Sequence, residues 1–110
     1  MLAVIIPSKT ERFLKQTIED VLAKAETDII VYAMLDGGED IPDEEKVRDQ
    51  RVIYHVYPKG EGNQKRHMIN WAVADTNAEY WMTLDAHCMV GQGFDRILIE
   101  NHQPNWVQVP

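Results

Sequence analysis

Apolar positions in this chain alternate between short unbroken runs and longer stretches with a helical period. Leu2-Ala3-Val4-Ile5-Ile6 is an unbroken run halted by Pro7, and Ile29-Ile30-Val31-Tyr32-Ala33-Met34-Leu35 is a second, ending at Asp36-Gly37-Gly38. Runs of this length predict strands covered on both faces. Val52-Ile53-Tyr54-His55-Val56-Tyr57 reads as a third strand, rich in β-branched and aromatic residues, and Tyr80-Trp81-Met82-Thr83-Leu84 as a fourth, ending at Asp85. After the first strand, Leu14, Ile18, Val21, Leu22 and Ala25 recur with the 3.6-residue period of an amphipathic helix. Ser8 and Glu11 have the spacing of a capping box, which predicts that this helix begins just after Ser8. Met68, Ile69, Ala72 and Val73 make one face of a helix over residues 64–74, and Phe94, Ile97 and Leu98 suggest a last short helix after Gly91 and Gly93. Residues 58–63 form a turn-forming loop, and the acidic stretch 39–49 reads as a solvated loop with room for one helical turn.

Strands alternating with helices predict an α/β fold, a mostly parallel sheet flanked by helices on both faces. Residues 1–103 make one domain, followed by a tail over 104–110 with two prolines and no clear element. In such sheets ligands bind beyond the carboxyl ends of the strands, where the strand order reverses. Pro7-Ser8-Lys9, Asp36-Gly37-Gly38 and Asp85-Ala86-His87 each follow a predicted strand, so all three are expected to line one crevice.

The 110 residues carry 45% hydrophobic and 26% charged side chains, ordinary for a globular domain, with a formal net charge of -7. That charge argues against a nucleic-acid or membrane-surface partner, since both want clustered Lys and Arg. A phosphate-bearing ligand would need local basic residues or a bound cation to offset the acidic field. The single cysteine, Cys88, cannot form an intramolecular disulfide, and the run Leu2–Ile6 is too short for a signal peptide or a membrane span. A cytoplasmic location is the default expectation. Cys88 reads as a small buried hydrophobe, His55 as packed in mid-strand, and His67 as an exposed helix residue near the crevice. His102, downstream of Asp85, is the one further histidine that could add a metal ligand.

Four segments in order carry a resemblance. They are Val4-Ile5-Ile6-Pro7-Ser8-Lys9-Thr10-Glu11, Asp36-Gly37-Gly38-Glu39-Asp40, Gly62-Asn63-Gln64-Lys65-Arg66 and Leu84-Asp85-Ala86-His87-Cys88. Together they resemble the family-2-like glycosyltransferases of the GT-A fold, with Gly38 standing where the family usually has serine. The last segment is similar to the metal motif of the polypeptide N-acetylgalactosaminyltransferases, a retaining branch that uses a UDP-sugar and manganese. The resemblance implies a truncated GT-A (Rossmann-like) nucleotide-sugar-binding half, because family members continue into an acceptor-binding half. A dinucleotide-binding redox domain fits poorly, since the glycine loop follows the third strand and no full Gly-x-Gly-x-x-Gly is present.

On that resemblance, Asp85 and His87 hold Mn2+ or Mg2+ against the diphosphate and are the catalytic pair. The donor, a UDP-hexose or UDP-N-acetylhexosamine, is expected to touch Pro7, Ser8, Lys9, Glu11, Asp36, Gly62, Lys65, Arg66, Asp85 and Ala86. Asp36 would accept a hydrogen bond from uracil N3–H, and Lys59, Lys65 and Arg66 are the basic side chains near the glycine loop that would meet phosphate or base. Plain alternatives stand beside these roles: an Asp-Gly turn for Asp36, the capping box for Ser8 and Glu11, a solvated helix start for Lys65 and Arg66. The expected activity is retaining glycosyl transfer or slow UDP-sugar hydrolysis; the other reading is a non-catalytic nucleotide-sugar binding module.

Overall fold

The unbroken apolar runs become the centre of a parallel sheet, and the amphipathic stretches cover it from both sides. The computed structural model describes residues 1–9, 12–37, 46–58 and 65–104. It contains strands β1 (Leu2–Ser8), β2 (Ile29–Asp36), β3 (Val52–Tyr57) and β4 (Tyr80–Thr83), and helices α1 (Leu14–Lys24), α2 (Lys65–Asp75) and α3 (Phe94–Glu100). The strands lie in the order β3-β2-β1-β4, all parallel. Alternation along each strand sorts the core into two layers. Leu2, Val4 and Ile6 of β1 join Ile29, Val31, Ala33 and Leu35 of β2 beneath Leu14, Ile18 and Val21 of α1 and Phe94 of α3. Ala3, Ile5, Tyr32 and Met34 face the other way, against Met68 and Ala72 of α2. The two inner strands are therefore apolar on both faces, whereas the edge strand β4 is half-buried only at alternate residues, Tyr80 and Met82, and exposes Trp81 and Thr83.

Two expectations at the start of the chain need correction. β1 does not stop at Pro7 but continues to Ser8, with Pro7 opposite Met34 and Ser8 opposite Leu35. Parity explains how an inner strand tolerates proline. In a parallel strand a residue's N–H and C=O point to one neighbour, and successive residues alternate between neighbours. Leu2 N–H bonds Asp28 O on the β2 side, and Ile5 O accepts Leu84 N–H on the β4 side. Pro7 shares the parity of Ile5, so its missing donor faces the side where pairing with β4 has already ended at Thr83. The capping box is not made either: α1 starts at Leu14 behind Phe13, with no side-chain cap, and Ser8 belongs to the strand. Glu11 lies outside the described residues.

The remaining elements fall within a residue or two of expectation, and residues 46–49 of the acidic loop carry no helix. On α3, Phe94 is buried and Leu98 and Ile99 pack on the core, but Ile97 turns outward.

A polar stripe on α1 ties down the segment that follows β4. Thr17 Oγ1 donates to Ala86 O at 2.9 Å, Asp20 accepts from Val90 N–H at 2.8 Å, and Lys24 Nζ donates to Val90 O at 2.9 Å. Lys24 O then accepts Gly93 N–H at 2.8 Å. Gly93 has φ 69°, and a Cβ there would come within 2.7 Å of the Glu26 carboxylate, so the position requires glycine. Asp95, fully buried, accepts Glu26 N–H at 2.9 Å, Thr27 N–H at 2.7 Å and the Thr27 hydroxyl at 2.6 Å. Burial opposes ionisation of Asp95, yet the Thr27 hydroxyl and the N–H groups of Glu26, Thr27 and Arg96 hold its carboxyl below the ordinary range.

Asp95→Ala is therefore expected to cost about 2–3 kcal/mol, since it removes a charged acceptor and leaves its donors unpaired. A carboxyl whose pKa is lowered by folding stabilises fully above its unfolded pKa of about 3.9 and loses that contribution as pH falls toward the folded value. Urea unfolding of wild type, Asp95→Ala and Asp95→Asn from pH 7 down to pH 3 checks both points: Asp95→Ala gives the cost near neutrality, and the gap between wild type and Asp95→Asn should be widest there and shrink in acid.

Candidate functional site at the carboxyl edge of the sheet

The chain lays down β1, β2 and β3 in one direction and then returns to place β4 on the other side of β1, so the order reverses between β1 and β4. β4 pairs only Leu2–Ile5, and the last bond of the ladder is Leu84 N–H to Ile5 O. Beyond it Pro7 and Ser8 have no β4 neighbour, and the Asp85 segment turns away beside them. The Asp85 segment thus follows the strand at which the order reverses, the position where doubly wound sheets bind ligands.

The geometry of Asp85-Ala86-His87 follows from its middle residue. Ala86 is 2% exposed and packs in the core, and its carbonyl is held by Thr17. With Ala86 pinned inward, Asp85 and His87 on either side are left in solvent. A turn closes with Cys88 N–H donating to Asp85 O at 3.2 Å, which folds the first and fourth residues toward each other. As a result Asp85, His87 and Cys88 each offer a ligand atom within 4.8 Å of the other two. A carboxylate oxygen, an imidazole nitrogen and a thiol sulfur on one turn are chemically suited to a divalent cation. The expectation for Cys88 therefore changes: it is half-buried and stands beside the pair, where packing alone was foreseen.

Lys65, the first residue of α2, reaches Asp85 with Nζ 2.5 Å from Oδ1. The hydrogen bond and charge of Lys65, aided by the nearby His87, hold the Asp85 carboxyl below its ordinary range. Both side chains are about half-exposed, so the pair contributes only about 0–1 kcal/mol to folding. Of the two basic candidates at the start of α2, Lys65 meets the Asp85 carboxylate, and Arg66 is exposed.

Three further groups stand at strand ends on this edge. Asp36 closes β2 and is 4% exposed; Gly37 follows at φ 80° and donates its N–H to Tyr57 O at 2.9 Å. Asp36 and Tyr57 are register partners and lie on the α2 face of the sheet by alternation, whereas Ser8 lies on the α1 face. The Ser8 hydroxyl and the Tyr57 hydroxyl are both buried with no hydrogen-bond partner among the described residues. Burial also pushes the Tyr57 phenol up from its ordinary pKa. Tyr57 escaped the sequence reading; its only signal there was an aromatic closing the third strand.

Pro7 is buried and Lys9, just past the end of β1, is exposed. Glu11, Gly62 and Lys59 lie outside the described residues, as do Gly38 and residues 105–110. His55 stacks on Trp71 at 3.8 Å, as expected of a packed histidine, and His67 is exposed with its ring 5.7 Å from Tyr57. His102 packs edge-on against Tyr80 at 5.2 Å, at the opposite end of β4 from Asp85, and so does not join the cluster. Among the described residues no helix is long and apolar enough to cross a membrane. Comparison with family models, with curated proteins and with solved structures finds no match for this chain.

Because Lys65 is the main cause of the lowered Asp85 pKa, Lys65→Gln should move the Asp85 titration upward. Carboxyl-carbon NMR of the two proteins through acid pH measures it, and an unmoved Asp85 titration would mean that the ion pair is not held in solution.

Proposed function

We propose that this chain binds the diphosphate of a UDP-sugar donor at the carboxyl edge of its sheet, with a divalent cation held by Asp85 and His87, and that it transfers or slowly hydrolyses the glycosyl group as a GT-A-like domain. One observation carries the reading: Asp85 and His87 stand at the switch point between β1 and β4, with Ser8 and Asp36 at the neighbouring strand ends. When bound, the cation, Mn2+ or Mg2+ in the resembling enzymes, neutralises the diphosphate and stabilises it as a leaving group. Asp85 is kept ionised for that task by Lys65. Lys65, paired with Asp85, would stand within reach of the phosphates of a donor held there. The Ser8 hydroxyl, at the end of β1, is a buried donor without a partner among the described residues. Asp36 accepts from the imide N–H of uracil, and Gly37 beside it, without a side chain, lets the base approach the backbone.

Ligand linkage gives the first test. UDP at about 100 times its Kd should stabilise the fold by about 2.7 kcal/mol with Mn2+ present, read as a rise in Tm of several degrees. EDTA, or the Asp85→Ala substitution, should remove most of that rise. Alongside it, UDP release from UDP-glucose, UDP-galactose and their N-acetyl forms should depend on Mn2+ and on Asp85. Binding without release would leave a nucleotide-sugar binding module; equal stabilisation in EDTA would remove the cation from the proposal.

Base choice tests Asp36 separately. Cytosine has no N3–H to donate, so UDP should bind more tightly than CDP, by about tenfold for one well-paired hydrogen bond. In Asp36→Ala the preference should disappear while stabilisation by UDP with Mn2+ remains. Isothermal titration with both nucleotides reads the ratio, and equal affinities in wild type would reduce Asp36 to a turn residue.

A further inference from the structure

The turn that closes the Asp85 segment brings in a third donor that the resemblance does not require. We infer that Cys88 completes a three-ligand site with Asp85 and His87, and that this site selects a zinc-class cation over Mn2+ or Mg2+. The inference rests on the proposed metal site but not on the nucleotide. Asp85, His87 and Cys88 present their ligand atoms within 4.8 Å of one another. Around a tetrahedral ion with bonds of about 2.0–2.3 Å, ligand atoms sit roughly 3.3–3.8 Å apart, so a contraction of about 1 Å assembles the set. Asp85 and His87 are exposed, and Lys65 engages Asp85 through an exposed ion pair, so little opposes that movement.

Donor chemistry sets the preference. Mn2+ and Mg2+ favour oxygen ligands, whereas a thiolate with an imidazole favours Zn2+ or Co2+. Cys88 binds as the thiolate, its proton passing to the buffer. Three protein ligands leave the fourth tetrahedral position open, the arrangement of zinc sites that bind water or a substrate oxygen. Two independent supports fix the turn: the Thr17 bond to Ala86 O before Cys88 and the Asp20 and Lys24 bonds to Val90 after it. The cysteine is thereby held at the cluster from both sides along the chain.

The test uses the whole chain without nucleotide. Competition with a chromogenic chelator should give one Zn2+ per chain, bound more than about tenfold more tightly than Mn2+. Co2+ should add a thiolate-to-metal charge-transfer band in the near ultraviolet. In Cys88→Ser that band should vanish and Zn2+ affinity should fall at least about tenfold, with Mn2+ affinity little changed and the far-ultraviolet circular dichroism intact. His87→Ala and Asp85→Ala should each weaken Zn2+ as well. Absence of the charge-transfer band in wild type overturns the inference whatever the variants do, as does Zn2+ bound no more tightly than Mn2+. The two readings separate cleanly. Stabilisation by UDP with Mn2+ but no thiolate band removes Cys88 and leaves the donor site; a thiolate band with no response to UDP does the reverse.

Discussion

The polar stripe of α1 is the constraint on which the carboxyl edge depends. Thr17, Asp20 and Lys24 lie at spacings that share one helical face, and each spends its polar atoms on the backbone of residues 86–90. Helix side chains usually meet a sheet through apolar contacts; here the apolar residues Leu14, Ile18 and Val21 do so, while the adjacent stripe grips an irregular segment. The Lys24 hydrogen bond and charge, with the Val90 N–H, keep Asp20 ionised by lowering its pKa. Asp95 repeats the device in reverse, holding the α1–β2 connection from the start of α3. A loop that would otherwise pay the full entropy of order is in this way fixed at both ends, and Asp85, His87 and Cys88 inherit a defined backbone.

Electrostatics in a chain of net charge -7 is settled locally, pair by pair. The described acidic groups of the Asp20, Glu26, Asp49 and Asp95 sites each have a basic or N–H partner, so their charge is spent locally. At Asp85 the partner is a lysine on an exposed and weak ion pair. Such a pair adds little to folding and leaves both side chains open to solvent. The net charge is a property of the whole surface, while binding responds to the charges within about a Debye length of the site.

Much of the fold was legible because its causes are local in the chain. The unbroken runs 2–6 and 29–35 announced inner strands, and the spacing of Leu14, Ile18 and Val21 announced a covering helix. What misled was also local: Pro7 read as a stop, and Ser8 with Glu11 as a cap, because neither the parity of the strand nor the early end of β4 is visible in residues 1–11. At the site, Asp85 and His87 were legible as a pair following a strand. Cys88 was not, since its approach depends on a turn whose closure and anchoring come from Thr17, Asp20 and Lys24, some seventy residues earlier. That Lys65 rather than Arg66 meets Asp85 was hidden for the same reason, since it depends on how α2 packs against the sheet. His102 shows the converse, a residue downstream of the motif in sequence that follows α3 to the far end of the strand.

The two edges of the sheet are built on opposite terms. Toward the amino ends, Asp95 satisfies its donors and Leu2 begins its ladder on Asp28, so polar groups are matched and the bonds stabilise the fold. Toward the carboxyl ends, the Ser8 and Tyr57 hydroxyls are buried without partners among the described residues, at a cost of about 1–3 kcal/mol each. The Lys65–Asp85 ion pair past β4 returns about 0–1 kcal/mol. Nothing in the packing of β1 demands a hydroxyl at Ser8: the residue continues the row of Leu2, Val4 and Ile6, where an apolar side chain would bury without penalty. A fold selected for stability alone would place one there. The hydroxyl at the end of β1 is therefore a cost that its packing does not explain, and Tyr57, two strands away on the opposite face of the sheet, repeats it.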